Sequence, residues 1–135
     1  MCIRDSIFIG CAAVADFKPT NYIDSKIKKT DENNMSINLT KNPDILKYAS
    51  DKMKDKIVIG FSAETDNIIE NARLKLSKKD LDMIICNDVS DPSIGFNSDN
   101  NEVHIITKDY EKKLHKTSKI RIAKEILKNI EPLIN

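Results

Sequence analysis

An α/β domain built on a parallel sheet, with a hairpin attached, is what three observations in this 135-residue sequence predict. Continuous apolar runs of strand length, Ile7 to Ala15 ("IFIGCAAVA"), Lys56 to Phe61 ("KIVIGF") and Leu81 to Cys86 ("LDMIIC"), have the character of strands covered on both faces. Between the second and third, Ile68, Ala72 and Leu76 fall four apart with Ile69 beside them, the pattern of an amphipathic helix. Strand, helix and strand from Ile57 to Cys86 then form one right-handed βαβ crossover. On either side of the turn-rich "TDENN", Lys26 to Lys29 and Ser36 to Thr40 alternate polar and apolar residues, which predicts a half-exposed hairpin.

Taken in chain order, "MCIRDS" has no periodicity and abuts a good strand at Ile7; it resembles a translated sequencing-adapter remnant. Residues 1–6 are therefore expected to be a non-native leader, a frayed native terminus being the alternative, and residues 7–135 the domain proper. The run from Ile7 is long and apolar enough to predict a central strand, not an edge. Asn42 suits an N-cap, Pro43 the first helical position and Asp44 the positive end of the helix dipole, so "NPDILKYASDKM" opens a short helix. After the polar "NDVSDPSIGFNSDNN", "EVHIIT" predicts a strand and "KDYEKKLHK" a turn and return. A last helix starts at Thr117 or Ser118, with Ile120, Ala123, Leu127 and Ile130 on one face. Neither GxGxxG nor GxxxxGK[ST] occurs. The strand inventory is short for a doubly wound domain, so either the fold is unusual or its N-terminal half lies upstream.

Composition narrows the function classes. Lys and Arg number 22 against 21 Asp and Glu, a formal net charge of +1, so no global field marks a nucleic-acid or membrane-surface protein, and anion binding has to be local. Aromatic residues at 5% leave no stacking platform for nucleic acid. Cys2, Cys11 and Cys86 are odd in number and far apart, which fits neither a disulfide framework nor a zinc knuckle and points to the cytoplasm. The apolar runs fall short of the ~18 residues of a membrane span, and no signal peptide is evident. His104 is expected on a strand face and His115 near a turn; with no ligating neighbours at metal spacing, no metal site is assignable.

In an open parallel sheet, ligands bind beyond the carboxyl ends of the strands. Three such ends turn polar at Ala12 to Phe17, Gly60 to Thr65 and Cys86 to Ser90. Around that rim a nucleotide needs cations and helix N–H groups for its phosphates. Lys26, Lys28 and Lys29 on the hairpin, the helix start at Pro43 to Leu46, and Lys75 with Lys79 supply both. Each has a plainer explanation: "KIKK" as a solvated strand face, "NPD" as a cap, the two helix lysines as ordinary exposed residues, Asp16 as a turn residue.

Seven segments in order, "CAAVADFKP", "SKIKK", "KNPDIL", "IGFSAET", "NARLKL", "LDMIICNDVS" and "GFNSDNNEVHII", resemble the carboxyl-terminal part of bacterial phosphopantothenate–cysteine ligase. The resemblance runs from about Ile7 to the C-terminus. It implies a Rossmann-like parallel sheet with flanking helices and a β-hairpin that serves as flap and dimerisation arm. It also implies an N-terminal half of the domain that is missing here, and a fused decarboxylase domain that would carry FMN. The implied reaction belongs to coenzyme A biosynthesis: CTP with Mg²⁺ activates 4′-phosphopantothenate as an acyl-cytidylate, which cysteine converts to an amide. By the same resemblance Lys26 is the catalytic lysine. Gly10, Cys11, Ala12, Asp16, Lys26, Pro43, Asp44, Ile45, Leu46, Phe61, Lys75 and Lys79 form the nucleotide site. A homodimer is expected, ATP in place of CTP stays open, and Ser62 stands where the family more often has Ala. A non-enzymatic nucleotide-binding or dimerisation module is the alternative.

Overall fold

A computed structural model describes residues 6–28, 34–90 and 98–134. The chain divides into two compact units, one of residues up to Ala12 together with Ile45 onward, the other Ala13–Asp44.

The larger unit contains β1 (Ile7–Gly10), α1 (Ile45–Lys52), β4 (Ile57–Glu64), α2 (Ile68–Lys79), β5 (Met83–Asp88), β6 (Asn100–Thr107), β7 (Glu111–Ser118) and α3 (Lys119–Ile130), followed by a 3₁₀ turn at Glu131–Leu133; the numbers omitted here, β2 (Phe17–Pro19) and β3 (Leu39–Lys41), belong to the smaller unit. Its five strands lie in the order β1-β4-β5-β6-β7. The first three are parallel, with Gly10 opposite Gly60 and Ser62 opposite Cys86. The last two run antiparallel, so the sheet is mixed. Direction follows from the connections: α2 carries the chain back between β4 and β5, whereas β6 turns straight into β7. That turn is tied by Thr107, whose Oγ1 accepts from the N–H groups of Asp109 at 3.3 Å and Tyr110 at 3.1 Å.

Alternation along the strands divides the core between two faces. Val58, Ile84, Cys86 and Ile106 pack beneath α1 and α2 with Ala49, Ala72 and Leu76. Ile59, Met83, Ile85, Val103 and Ile105 meet Ile122, Ile126 and Ile130 of α3. Covering both faces is what makes "MIIC" apolar throughout rather than alternating. The expected α2 face is the observed one, with Ala72 and Leu76 buried.

Three expectations are corrected in this unit. The run from Ile7 to Ala15 is strand only to Gly10, and it lies at the sheet margin with β4 as its neighbour; Ile9 is 42% exposed. A central strand requires partners on both sides, and among the described residues β1 has one, so apolarity is not matched by burial here. On α3 the buried stripe is Ile122, Ile126 and Ile130, while Ile120 (72% exposed) and Leu127 (58%) face out, and Ala123 is exposed too. Both stripes have helical spacing. What selects between them is the direct passage from β7 into α3 at Ser118, whose Oγ caps the helix by accepting from Arg121 N–H at 3.3 Å. His115 lies within β7, not at a turn.

Gly60 shows how α1 is seated. A Cβ there would stand 2.5 Å from Leu46 Cδ2 and 3.0 Å from Leu81 Cδ1. Gly60→Ala should therefore lower stability by about 1 kcal/mol, the low end for overpacking because a leucine tip can shift. Urea unfolding should find the penalty smaller in a Leu46→Ala background, where the obstacle is gone; equal penalties in both backgrounds would contradict this packing.

Glu125 on α3 accepts from Lys128 at 2.7 Å and from Lys112 of β7 at 3.0 Å. These two ammonium groups, Lys128 foremost, lower its pKa from 4.5 to about 2. A depressed folded-state pKa contributes stability above the unfolded value and loses it as pH falls through the folded one. The contribution should thus be intact above pH 4.5 and vanish towards pH 2. Glu125→Gln should flatten that part of a thermal-unfolding pH profile.

In the smaller unit β2 and β3 pair antiparallel, with Phe17 opposite Lys41 and Pro19 opposite Leu39. Thr20 N–H extends the pairing to Asn38 O at 2.9 Å. The hairpin was expected further out in the chain, between Lys26–Lys29 and Ser36–Thr40. Residues 26–28 belong to no strand, and Lys29 with most of the expected turn, residues 29–33, lies outside the described residues. Asn42 closes the base of the ladder: its N–H donates to Asp16 O at 2.8 Å and its side-chain amide to Ala15 O at 2.7 Å. That use replaces the expected N-cap, since α1 begins three residues later at Ile45.

Candidate functional site

Because β1, β4 and β5 are parallel, their carboxyl ends, Gly10, Glu64 and Asp88, share one edge of the sheet, as the apolar-to-polar transitions predicted. Within the larger unit this edge carries Gly10, Cys11 and Ala12, the last two exposed. Leu46 reaches the same strand from α1. A Cβ on Gly10 would lie 3.1 Å from Leu46 Cδ1, so Gly10 and Leu46 are in contact and Leu46 is a packing residue. Ile45, the first residue of α1, stays half exposed.

Phe61 and Leu46 are not brought together. Successive strand residues face opposite ways, and Phe61 packs with Ile7 and Ile57 against the α3 side, whereas Leu46 belongs to the α1–α2 side. Lys75 is engaged in an ion pair with Glu64, a partner the sequence reading missed. The Glu64 side chain is only 12% exposed, so a carboxylate at this rim is matched before any ligand arrives. Four residues on, Lys79 lends its backbone carbonyl to Ser50 Oγ at 2.5 Å, which holds α2 to α1.

Asp16, Lys26, Pro43 and Asp44 belong to the smaller unit. Asn42 brings the Asp16 backbone next to Pro43. Lys26 is exposed and in no strand, and no ion pair holds it among the described residues.

A second group of polar residues was not foreseen. Ser62, Cys86, His104 and Lys113 stand opposite one another in register across β4, β5, β6 and β7. Only strand pairing puts them in line, so nothing in their sequence spacing could have shown it. Burial pushes the Cys86 thiol pKa up, with the nearby Ser62 hydroxyl opposing. Asp88, at the end of β5, accepts from Ser90 Oγ at 2.5 Å and Ser90 N–H at 3.0 Å, and these bonds, the hydroxyl's first, hold its pKa below the ordinary carboxylate value. Among the described residues no three His, Cys, Asp or Glu side chains cluster in a way that could hold a metal ion, and no helix is long and apolar enough to cross a membrane.

Comparison with known proteins agrees with this architecture. Residues 2–133 match the family model described as "DNA/pantothenate metabolism flavoprotein C-terminal domain". The "Coenzyme A biosynthesis bifunctional protein CoaBC" of Borreliella burgdorferi is 49% identical over 124 residues, 90% of this chain and 31% of that protein. Its counterpart in Escherichia coli K12 is 47% identical over 114 residues, 82% of this chain and 28% of that protein. The chain thus spans about a third of the curated relatives it matches. A crystal structure of the C-terminal domain of a coenzyme A biosynthesis bifunctional protein CoaBC superposes with a TM-score of 0.72 at 32% identity, covering 96% of this chain and 57% of that one. With nearly its whole length matched, this chain belongs to the DNA/pantothenate metabolism flavoprotein C-terminal domain family.

Proposed function

We propose that this chain supplies the carboxyl-terminal part of a CTP-dependent phosphopantothenate–cysteine ligase acting in coenzyme A biosynthesis. The observation that carries the reading is the 49% identity, over 90% of the chain, to a protein named for coenzyme A biosynthesis. In the first step the carboxylate of 4′-phosphopantothenate attacks the α-phosphorus of CTP; a P–O bond forms to give the acyl-cytidylate and pyrophosphate leaves. In the second the cysteine amine attacks the acyl carbon, the C–O bond to CMP breaks, and the amine gives up a proton as the amide forms.

Both steps move negative charge onto leaving oxygens, so cations placed where that charge develops accelerate them. Lys26, exposed and unengaged by an ion pair among the described residues, suits that role. Gly10, Cys11 and Ala12 offer a small-residue strand end for close backbone approach, and Asp16, Pro43, Asp44, Ile45, Leu46, Phe61, Lys75 and Lys79 complete the proposed nucleotide set. Leu46 and Phe61 enter it through their backbone or by shaping the sheet, since their side chains serve the two packed faces. Mg²⁺ would arrive on the triphosphate, which holds it with few protein ligands.

The arm exposes Phe17, Ile23, Ile27, Ile37 and Leu39, an apolar surface suited to a second copy, which supports a homodimer. A decarboxylase domain on the natural chain is supported by the bifunctional relatives. The test is pyrophosphate release from CTP with 4′-phosphopantothenate and cysteine, using the chain joined to the upstream part of its Escherichia coli relative. Turnover needing all three substrates supports the ligase. CTP binding without pyrophosphate release would leave a nucleotide-binding module instead.

A further inference from the structure

β7 is the last strand of its sheet: among the described residues it pairs with β6 on one side and with no strand on the other. An edge of eight residues presents a row of backbone N–H and C=O groups on which a further strand can form. Beside it runs a groove of about 420 Å³, with residues 113–117 along one side and Arg121 and Glu125 of α3 along the other. No residue of the proposed nucleotide set lines this groove, and β5 and β6 stand between β7 and β4.

Charge selects the occupant. Lys113, Lys116 and Arg121 line the groove, and Arg121 is exposed and in no ion pair among the described residues. Against them stands one carboxylate, Glu125, already held by Lys128 at 2.7 Å and Lys112 at 3.0 Å. The walls therefore carry an excess of positive charge around Leu114, whose side chain packs into the α3 core. A second copy of this chain does not fit that field. Pairing β7 antiparallel with itself about Leu114 sets Lys112 directly opposite Lys116, and like charges across a ladder repel.

We propose that the open edge of β7 binds an acidic, extended segment of a partner polypeptide, which adds to the sheet as a further strand. Register sets where the added ladder stops. β6 advances two residues from Val103 to Asn101 while β7 advances three from Leu114 to Thr117, a bulge that interrupts the regular edge. Within it the Lys116 N–H turns towards Glu102 and donates to Oε2 at 3.2 Å. The guest strand runs along residues 111–114 and ends at the bulge, where Lys116 and Arg121 meet its carboxylates. Binding here requires neither nucleotide nor turnover, so the proposal stands apart from the ligase reading.

The experiment is a fluorescence-anisotropy titration of the full chain against a short labelled peptide that alternates glutamate and valine. One control peptide has lysine in place of glutamate; another keeps the glutamates and has proline in place of valine, which removes backbone N–H groups while leaving the charge. The first peptide should bind saturably and more weakly as salt rises, and neither control should bind. Amide hydrogen exchange at residues 111–114 should slow when the peptide is added. Arg121→Gln and Lys116→Gln, both at exposed positions, should each weaken binding about threefold, the cost of one exposed ion pair, with the thermal unfolding curve unmoved. Equal binding of the proline peptide would reduce the edge to a charged surface and overturn the proposal. So would the absence of binding, or a concentration-dependent dimer that Arg121→Gln dissociates, which would assign the edge to a second copy.

Discussion

Lys26→Gln is expected to slow pyrophosphate-coupled ligation by about 10²- to 10³-fold, the usual cost of removing one group aimed at developing charge. The reasoning rests on where the lysine is. It lies in the smaller unit, exposed, outside any strand and in no ion pair among the described residues. Removing it should leave the thermal unfolding curve where it was, which separates lost chemistry from lost structure. Glutamine keeps most of the stem and a hydrogen-bond donor but not the charge. Arginine keeps charge in a larger, planar form and should restore only part of the rate. Steady-state pyrophosphate release, on the chain joined to the upstream part of its relative, is the measurement; a Lys26→Gln enzyme at the unmodified rate would remove the lysine from the mechanism.

Ile85→Ala should destabilise the larger unit by about 2–5 kcal/mol, the range for truncating a buried isoleucine. Ile85 is 0% exposed on the strand at the middle of the sheet, opposite Phe61 on one side and Ile105 on the other. Above it lie the isoleucines of α3, and β-branched side chains with restricted rotamers close a cavity poorly. Whole domains are stable by only ~5–15 kcal/mol, so the loss should be visible as a large drop in the urea midpoint. Ile120→Ala on α3 is the control: at 72% exposure it should change stability by no more than ~0.5 kcal/mol. Should the two variants unfold alike, the assignment of the buried stripe on α3 would be wrong.

That stripe marks the limit of what periodicity conveys. α2 was legible because Ile68, Ala72 and Leu76 recur four apart, and β4 and β5 because two-sided burial leaves a continuous apolar run, a signature β1 also shows without the burial. α3 has isoleucine or leucine on two faces, so helical spacing named the helix without naming its buried side. The hairpin was legible as an antiparallel pair but not in position: Asn42, read as a cap, closes the ladder instead, through hydrogen bonds to residues 26 and 27 positions earlier. At the candidate site the rim itself was legible from where apolar runs turn polar. Which side chains are available there was not. The Glu64–Lys75 pair and the line from Ser62 to Lys113 exist only through strand register and helix docking.

The order of the strands also sets an order of events in folding. β6 and β7 are separated by the three residues 108–110 and can find each other early. β1 must wait for a partner 50 residues further along, with Ile7 meeting Ile57, and everything between them has to be reeled in before that pairing forms. Closing so long a loop is slow, and the contacts it gains are those of one strand of four residues with, among the described residues, a single neighbour. The meander at the C-terminal end should therefore act as the seed of the structure and β1 as its last arrival.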